Sequence, residues 1–165
     1  MQCASSRSFF WGAINTSGKE IAPCIYDYVD CHSYSIHDDA FLQDLSDDSN
    51  IIICIKRGKY YAYDKDGTLL LKKCLAICNL LRGNLLYRQG RFGRLKLFSL
   101  RDRCIYNVDD KKLKLGSFSH FDENGIAVVV LTFDENTIRQ SYLFGAVDAS
   151  GKYVVPCIYK KEEEV

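Results

Sequence analysis

At 165 residues and 47% hydrophobic composition, the chain is long enough to bury one sizeable core, and the default expectation is a single domain over residues 1–165. Lys and Arg number 22 against 21 Asp and Glu, and a net charge of +1 excludes a global pull towards nucleic acid or anionic membrane. Eight cysteines without a secretory-leader pattern read as reduced thiols in a cytoplasmic protein, and no apolar run approaches the roughly 20 residues that a membrane helix needs.

In chain order, Phe9, Phe10 and Trp11 lead into Gly12, Ala13 and Ile14, an aromatic and β-branched run that stops at Asn15-Thr16-Ser17-Gly18. This predicts a strand ending in a tight turn, with Gly18 free to adopt positive φ. Lys19 to Ile21 predict a returning strand, and Pro23 marks where ladder pairing stops or moves to an edge. The same hairpin returns near the end of the chain. Written without a gap, WGAINTSGKEIAPCIY at 11–26 and FGAVDASGKYVVPCIY at 144–159 are identical at nine positions, so Phe144, Gly145, Gly151, Pro156 and Cys157 repeat Trp11, Gly12, Gly18, Pro23 and Cys24. An internal repeat of this kind predicts a fold built from serial copies.

Two weaker copies lie between. Tyr60 stands seven residues before Gly67, as Trp11 stands before Gly18, and Cys74 follows one residue later than the template predicts. The third copy is read through Arg91-Phe92-Gly93 leading to Cys104-Ile105-Tyr106, an aromatic–glycine pair without the turn glycine. On this alignment Cys24, Cys74, Cys104 and Cys157 occupy one recurring, structural place. Strand-like runs at 51–56, 85–89 and 125–132 precede the later copies, whereas the first has only residues 2–4 in that position. The expectation is an all-β fold of tandem three-stranded antiparallel meanders, about four units at 1–32, 51–80, 84–108 and 118–159, propeller-like or an open stack. Within each unit the aromatic is expected to be the large packing residue and the following glycine to permit close backbone approach.

These residues resemble the WG-repeat (KWG-repeat) family, mostly bacterial, whose units look like F-x-E-G-L-A-x-V, then K-W-G-x-I-D-x-x-G-K, then V-I-P-x-x-Y-D. The matching pieces are Phe121 to Val129, Phe144-Gly145-Ala146-Val147-Asp148 with Gly151-Lys152, and Val154 to Tyr159; the first unit matches through Trp11 to Asn15, Gly18-Lys19 and Pro23 to Asp27. The resemblance implies a β-repeat binding protein and offers no catalytic residue to carry over.

Candidate chemistry is sparse. Cys74-x3-Cys78, and Cys24 with Cys31-His32, lack the C-x2-C spacing of a strong zinc signal, so no metal or other cofactor is expected. His32, His37 and His120 have no neighbouring nucleophile and acid at a catalytic spacing, and the chain is read as non-enzymatic. Charge is segregated instead. The insertion at 33–50 carries Asp38, Asp39, Asp44, Asp47 and Asp48 with no Lys or Arg, and Phe41 and Leu45 there suit a short helical turn. Residues 82–114 hold Arg82, Arg88, Arg91, Arg94, Lys96, Arg101, Arg103, Lys111, Lys112 and Lys114 against Asp102, Asp109 and Asp110, ten minus three, or +7.

The primary expectation is an interaction module for a protein partner, using the acidic insertion and the basic third unit, where the copies differ. The alternative is a polyanion or nucleic-acid binder in which Tyr87, Phe92, Phe98 and Tyr106 stack on bases while the basic residues of 82–114 meet phosphate. Pairing of the acidic segment with the basic one between copies would give self-association. The charged tail, 160–165, is read as a solvated end.

Overall fold

The structure is a computed structural model that describes residues 9–30, 51–134 and 140–160. The acidic insertion with its five aspartates and its helical turn, the strand expected at 2–4, Cys31-His32, His37 and most of the charged tail lie outside the described residues. Among those described, the chain is all-β. Its strands are β1 (Trp11–Ile14), β2 (Glu20–Tyr26), β3 (Tyr28–Asp30), β4 (Ile52–Lys56), β5 (Lys59–Tyr63), β6 (Leu69–Cys74) and β7 (Ala76–Asn79), then β8 (Asn84–Arg88), β9 (Lys96–Ser99), β10 (Cys104–Asn107), β11 (Ile126–Asp134), β12 (Gln140–Asp148) and β13 (Tyr153–Tyr159). One short 3-10 turn, Leu115–Ser117, precedes β11.

The strands pair in antiparallel sheets ordered β1-β2, β3-β4-β5-β6, β10-β9-β8-β7 and β11-β12-β13. The expected meanders are therefore β4-β5-β6, β8-β9-β10 and β11-β12-β13, and two of the sheets carry a fourth strand. That strand is the continuation of the preceding copy. After Asp27 the chain enters β3 and pairs with β4, and after Leu75 it enters β7 and pairs with β8.

Local chemistry fixes each hairpin. Asn15 Oδ1 accepts the backbone N–H of Ser17 and Lys19 at 3.0 and 2.9 Å; Asp64 does the same for Asp66 and Thr68, and Asp148 for Ser150 and Lys152. These Asx turns close onto Gly18, Gly67 and Gly151, whose φ values of +81°, +88° and +76° a side chain would resist. In the third copy Arg103 takes the left-handed conformation at φ +50°, so the turn persists without its glycine.

Register carries the repeat further than composition does. In β1-β2 the pairs Trp11↔Tyr26, Ala13↔Ala22 and Ile14↔Glu20 leave residues 23–25 and then Ile21 as bulges; β12-β13 repeats this with Phe144↔Tyr159, Ala146↔Val155 and Val147↔Tyr153. The second copy keeps the single-residue bulge at Leu70 but shortens the other to Lys72-Lys73. The β9-β10 pair has none and runs Ser99↔Cys104 to Lys96↔Asn107 in unbroken register.

The chain divides into two compact units, one containing β1 to β6 and the other β7 to β13. The first packs Ile21, Ala22, Tyr26, Cys54 and Tyr63 into a small core. Tyr26 lies 5.3 Å from Tyr61 and 6.0 Å from Tyr63 between ring centroids, and the Tyr26 and Tyr63 hydroxyls hydrogen-bond to each other inside it. The second has the larger core, where Leu86 and Leu97 of one sheet meet Ala127, Val129 and Val147 of the next, with Leu80, Val108, Phe118 and Phe121 filling the rest.

Candidate functional site

The repeat residues separate into those that build the hairpin and those that do not. Gly12 and Gly145 build it. A Cβ on Gly12 would lie 2.7 Å from the Ala22 carbonyl oxygen and 2.8 Å from the Cys24 nitrogen; on Gly145 it would lie 2.7 Å from the Val155 oxygen and 2.8 Å from the Cys157 nitrogen. The glycine thus admits the three-residue bulge opposite, and Pro23 or Pro156 sits inside that bulge, where no ladder donor is needed. Tyr61 occupies the glycine position in the second copy, and there the bulge contracts and holds no proline.

The aromatic partner behaves differently from the expectation. Trp11 is 55% exposed and belongs to neither of the cores described above. Phe92 and Gly93 are a second correction: they lie in the loop between β8 and β9, with Phe92 95% exposed, and the middle strand of that copy is Lys96–Ser99. A third correction concerns the thiols. Only Cys24 and Cys157 share a place, within the bulge; Cys74 pairs with Tyr60 where Tyr26 pairs with Trp11, and Cys104 opens β10 beside the turn. Cys24 and Cys104 are exposed, whereas burial pushes the Cys54 thiol up to about 12 and the Cys74 thiol up to about 11. Cys78 is raised by the same desolvation. Among the described residues no three His, Cys, Asp or Glu side chains gather as metal ligands, and no helix is long and apolar enough to cross a membrane.

The basic segment does not form one face. Arg82 lies in the β7–β8 turn, and Arg101 and Arg103 lie in the β9–β10 turn, which the Leu100 N–H joins to the Gly83 carbonyl at 2.7 Å. Arg88, Arg91, Arg94 and Lys96 lie at the opposite end, around the β8–β9 loop. Four residue steps along β8 separate the ends by about 13 Å. Strand direction divides the cations here, a split that charge counting along the sequence does not reveal.

At the second end the structure brings Arg88 and Arg94 together with Lys111 and Lys114 around a cavity of about 640 Å³. Leu95, Val108 and Leu113 supply its apolar lining, and Asp110 is the one acid. Asp110 is held from within the protein: Oδ2 accepts the Tyr153 hydroxyl at 2.7 Å and Oδ1 accepts the Lys112 N–H at 2.9 Å. Burial first, and then this contact with Asp110, drive the Tyr153 hydroxyl far above its ordinary value. The loop is shaped by a Gly90–Gly93 turn, N–H to carbonyl 3.1 Å, and Gly93 closes over the aliphatic stem of Arg88, where an added Cβ would lie 3.6 Å from Cγ. The Arg88 Nε is buried and has no hydrogen-bond partner among the described residues. An unpaired buried donor costs about 1–3 kcal/mol, and more when charged.

A second unusual surface is β13. It pairs with β12 alone among the described strands, and Tyr153, Val154, Val155, Ile158 and Tyr159 are all exposed, Ile158 at 64%. No residue of Tyr153–Tyr159 carries a formal charge at neutral pH, and adjacent members point to opposite faces, so this edge is apolar on both sides.

Residues 11–34 match a family model described as the WG containing repeat. No curated protein and no solved structure matches the chain. The matched copy and its counterpart at 144–159 share their Asx turn, close glycine contact and both bulges, so the segment at 11–34 is similar to the WG repeat and the chain carries a second copy of the same hairpin.

Proposed function

We propose that this repeat module is a non-catalytic, cytoplasmic interaction protein that docks a protein partner by adding a strand to β13. The observation that carries the reading is the uncharged strand β13, exposed on both faces and paired on one side only among the described strands. Open edges of this kind template further pairing, and although bulges at Val154 and at residues 156–158 bend β13, no charge interrupts it. An extended apolar segment of the partner would satisfy the free backbone groups while its alternate side chains cover Val155 or Ile158. Pro156 interrupts the donor row, so the partner strand would register on either side of it.

Photo-crosslinking in the host, from a benzophenone amino acid in place of Ile158, tests the reading. Crosslinks to a defined protein that disappear on Val154→Lys are expected. Crosslinks confined to the same chain, together with amide exchange in β13 that is unchanged between isolated protein and cell extract, would refute it.

A further inference from the structure

We infer that the basic concavity between the β8–β9 loop and residues 110–116 is a binding site for a compact phosphate-bearing anion. Its charge is the first argument. Arg88, Arg94, Lys111 and Lys114 face one cavity with Asp110 the one opposing charge, four minus one, or +3. Both Asp110 oxygens already accept hydrogen bonds, from Tyr153 and Lys112. Among the described residues that line the cavity, these four cations thus face a single acid that is already hydrogen-bonded within the protein, an arrangement that like-charge repulsion opposes unless an anion enters.

Donor chemistry narrows the ligand. Two guanidinium groups present planar forks that match phosphate oxygens in pairs, and the ammonium groups of Lys111 and Lys114 add point charges. Arg88 lines the cavity, and its buried Nε, with no acceptor among the described residues, leaves a cationic donor uncompensated beside it. Glycine geometry supports this placement. A side chain at Gly93 would press on the Gly90 backbone at 3.1 and 3.2 Å, and its Cβ would stand in ordinary contact with the Arg88 stem at 3.6 Å.

Size and shape exclude a groove for extended nucleic acid as the primary reading. A volume of about 640 Å³ lies within the ordinary range for small-molecule sites and exceeds what one phosphate fills. Long single strands are instead tracked by a continuous basic channel, and here the other basic cluster stands at the far end of the same sheet. Phe92 also lines the cavity, largely exposed, with the Arg91 guanidinium 6.0 Å from its ring centroid. It offers a stacking face for a planar group attached to the phosphates. The site touches β13 through the Tyr153–Asp110 hydrogen bond but does not rest on the protein-partner reading.

Calorimetric titration of the full chain with sodium tripolyphosphate and with ADP, at matched ionic strength, tests the assignment. Saturable one-to-one binding is expected, weakened about 5–10-fold by Arg94→Gln and by Lys111→Gln. Arg82→Gln and Arg101→Gln, at the far end of the sheet, should change affinity less than about twofold. Both Arg94 and Lys111 are exposed, so these variants leave the core intact, and unchanged circular dichroism checks that. A nucleotide-type ligand gives a loss for ADP but not tripolyphosphate on Phe92→Ser; unchanged affinity for both identifies an inorganic or non-aromatic phosphate. Equal weakening from variants at both ends, or loss of binding when sodium chloride replaces the buffer salt at constant ionic strength, would overturn the proposal in favour of diffuse attraction. Tighter binding of a poly-glutamate peptide than of tripolyphosphate, or affinity that grows with oligonucleotide length and needs Arg82, would overturn it in favour of a macromolecular partner.

Discussion

Replacing Gly145 by alanine adds one methyl group to a strand and should cost more than that substitution usually does. The new Cβ would meet the Val155 oxygen at 2.7 Å, the Cys157 nitrogen at 2.8 Å and the Cys157 Sγ at 2.8 Å. Ordinary non-bonded separation is about 3.5 Å, so three contacts are each short by about 0.7 Å. Two of the opposing atoms are backbone and cannot rotate away. The residues that would have to move, Pro156, Cys157 and Ile158, are already an insertion between the Phe144↔Tyr159 and Ala146↔Val155 pairs. Overpacking of this kind costs about 1–3 kcal/mol, and losing a strand glycine returns about 0.5–1 kcal/mol of chain entropy. The net expectation is a destabilisation of ~1 kcal/mol, or about 2–4 °C in melting temperature.

The control is Gly90→Ala, where the nearest atom to a new Cβ is the Gly93 nitrogen at 4.0 Å and the effect should stay within about 0.5 kcal/mol. Thermal melts compare the two variants, and amide exchange localises the change, with faster exchange expected across β12 and β13. If Gly145→Ala melts with Gly90→Ala and leaves β13 protection unchanged, the glycine is not what admits the bulge and the account of the repeat fails.

Other consequences follow from the same geometry. For Asp148, burial opposes ionisation but hydrogen bonds from Ser150 and Lys152 outweigh it and hold the carboxyl below its ordinary range. Its stabilisation is therefore complete above the unfolded carboxylate value near pH 4 and drains as pH falls through the lower folded value, with the protons taken up by the folded turn last. Asp148→Asn, which keeps the acceptor that Asn15 provides in the first copy, should flatten that acid limb in melts across pH, whereas Asp148→Ala should lose about 1 kcal/mol at neutral pH. Thiol labelling at pH 8 should modify Cys24 and Cys104 in the native protein and spare Cys54 and Cys74 until denaturant is added; native labelling of Cys54 would contradict its burial in the first core. Tyr26→Phe should cost about 1 kcal/mol by leaving the buried Tyr63 hydroxyl without its partner, read by denaturant titration of the first unit's tyrosine signal.

The hairpins were legible because their determinants are local. Asn15 or Asp148 with a glycine three residues later dictates a turn whatever surrounds it, and alternating apolar residues supply the flanking strands. The close-approach role of the W-G glycine was also legible from its missing side chain. What sequence spacing could not deliver was register. Cys24 and Cys74 differ by a single residue when counted from the turn, yet one extra or missing bulge residue moves a side chain to another partner and another face. Phe92-Gly93 shows the same limit from the other side. An aromatic–glycine pair imitates the repeat signature, but the tight Gly90–Gly93 turn consumes those residues before the strand begins at Lys96. Charge counting along 82–114 failed for a related reason: antiparallel strands return the chain to opposite ends of a sheet, so neighbours in sequence separate in space.

The place where the third copy departs from the pattern is also where the basic concavity forms, and the two facts have a common cause. In the second copy the leading and middle strands are joined by Arg57-Gly58, both left-handed at φ +49° and +68°, a two-residue turn of the kind that leaves no cavity. In the third, residues 89–95 replace that turn between β8 and β9. The longer connection no longer has to continue the ladder, so its residues are released from alternation: Gly90 and Gly93 fold it back, Phe92 turns outward, and Arg94 comes to face the same cavity as Arg88. The β9-β10 hairpin that follows has shed both bulges and the turn glycine. Lys111 and Lys114 complete the ring from the segment after β10. Restoring a two-residue turn by deleting 90–94 should therefore leave the second unit's paired strands able to form and remove the anion site together with its glycine cradle, which is the sense in which site and irregularity are one feature.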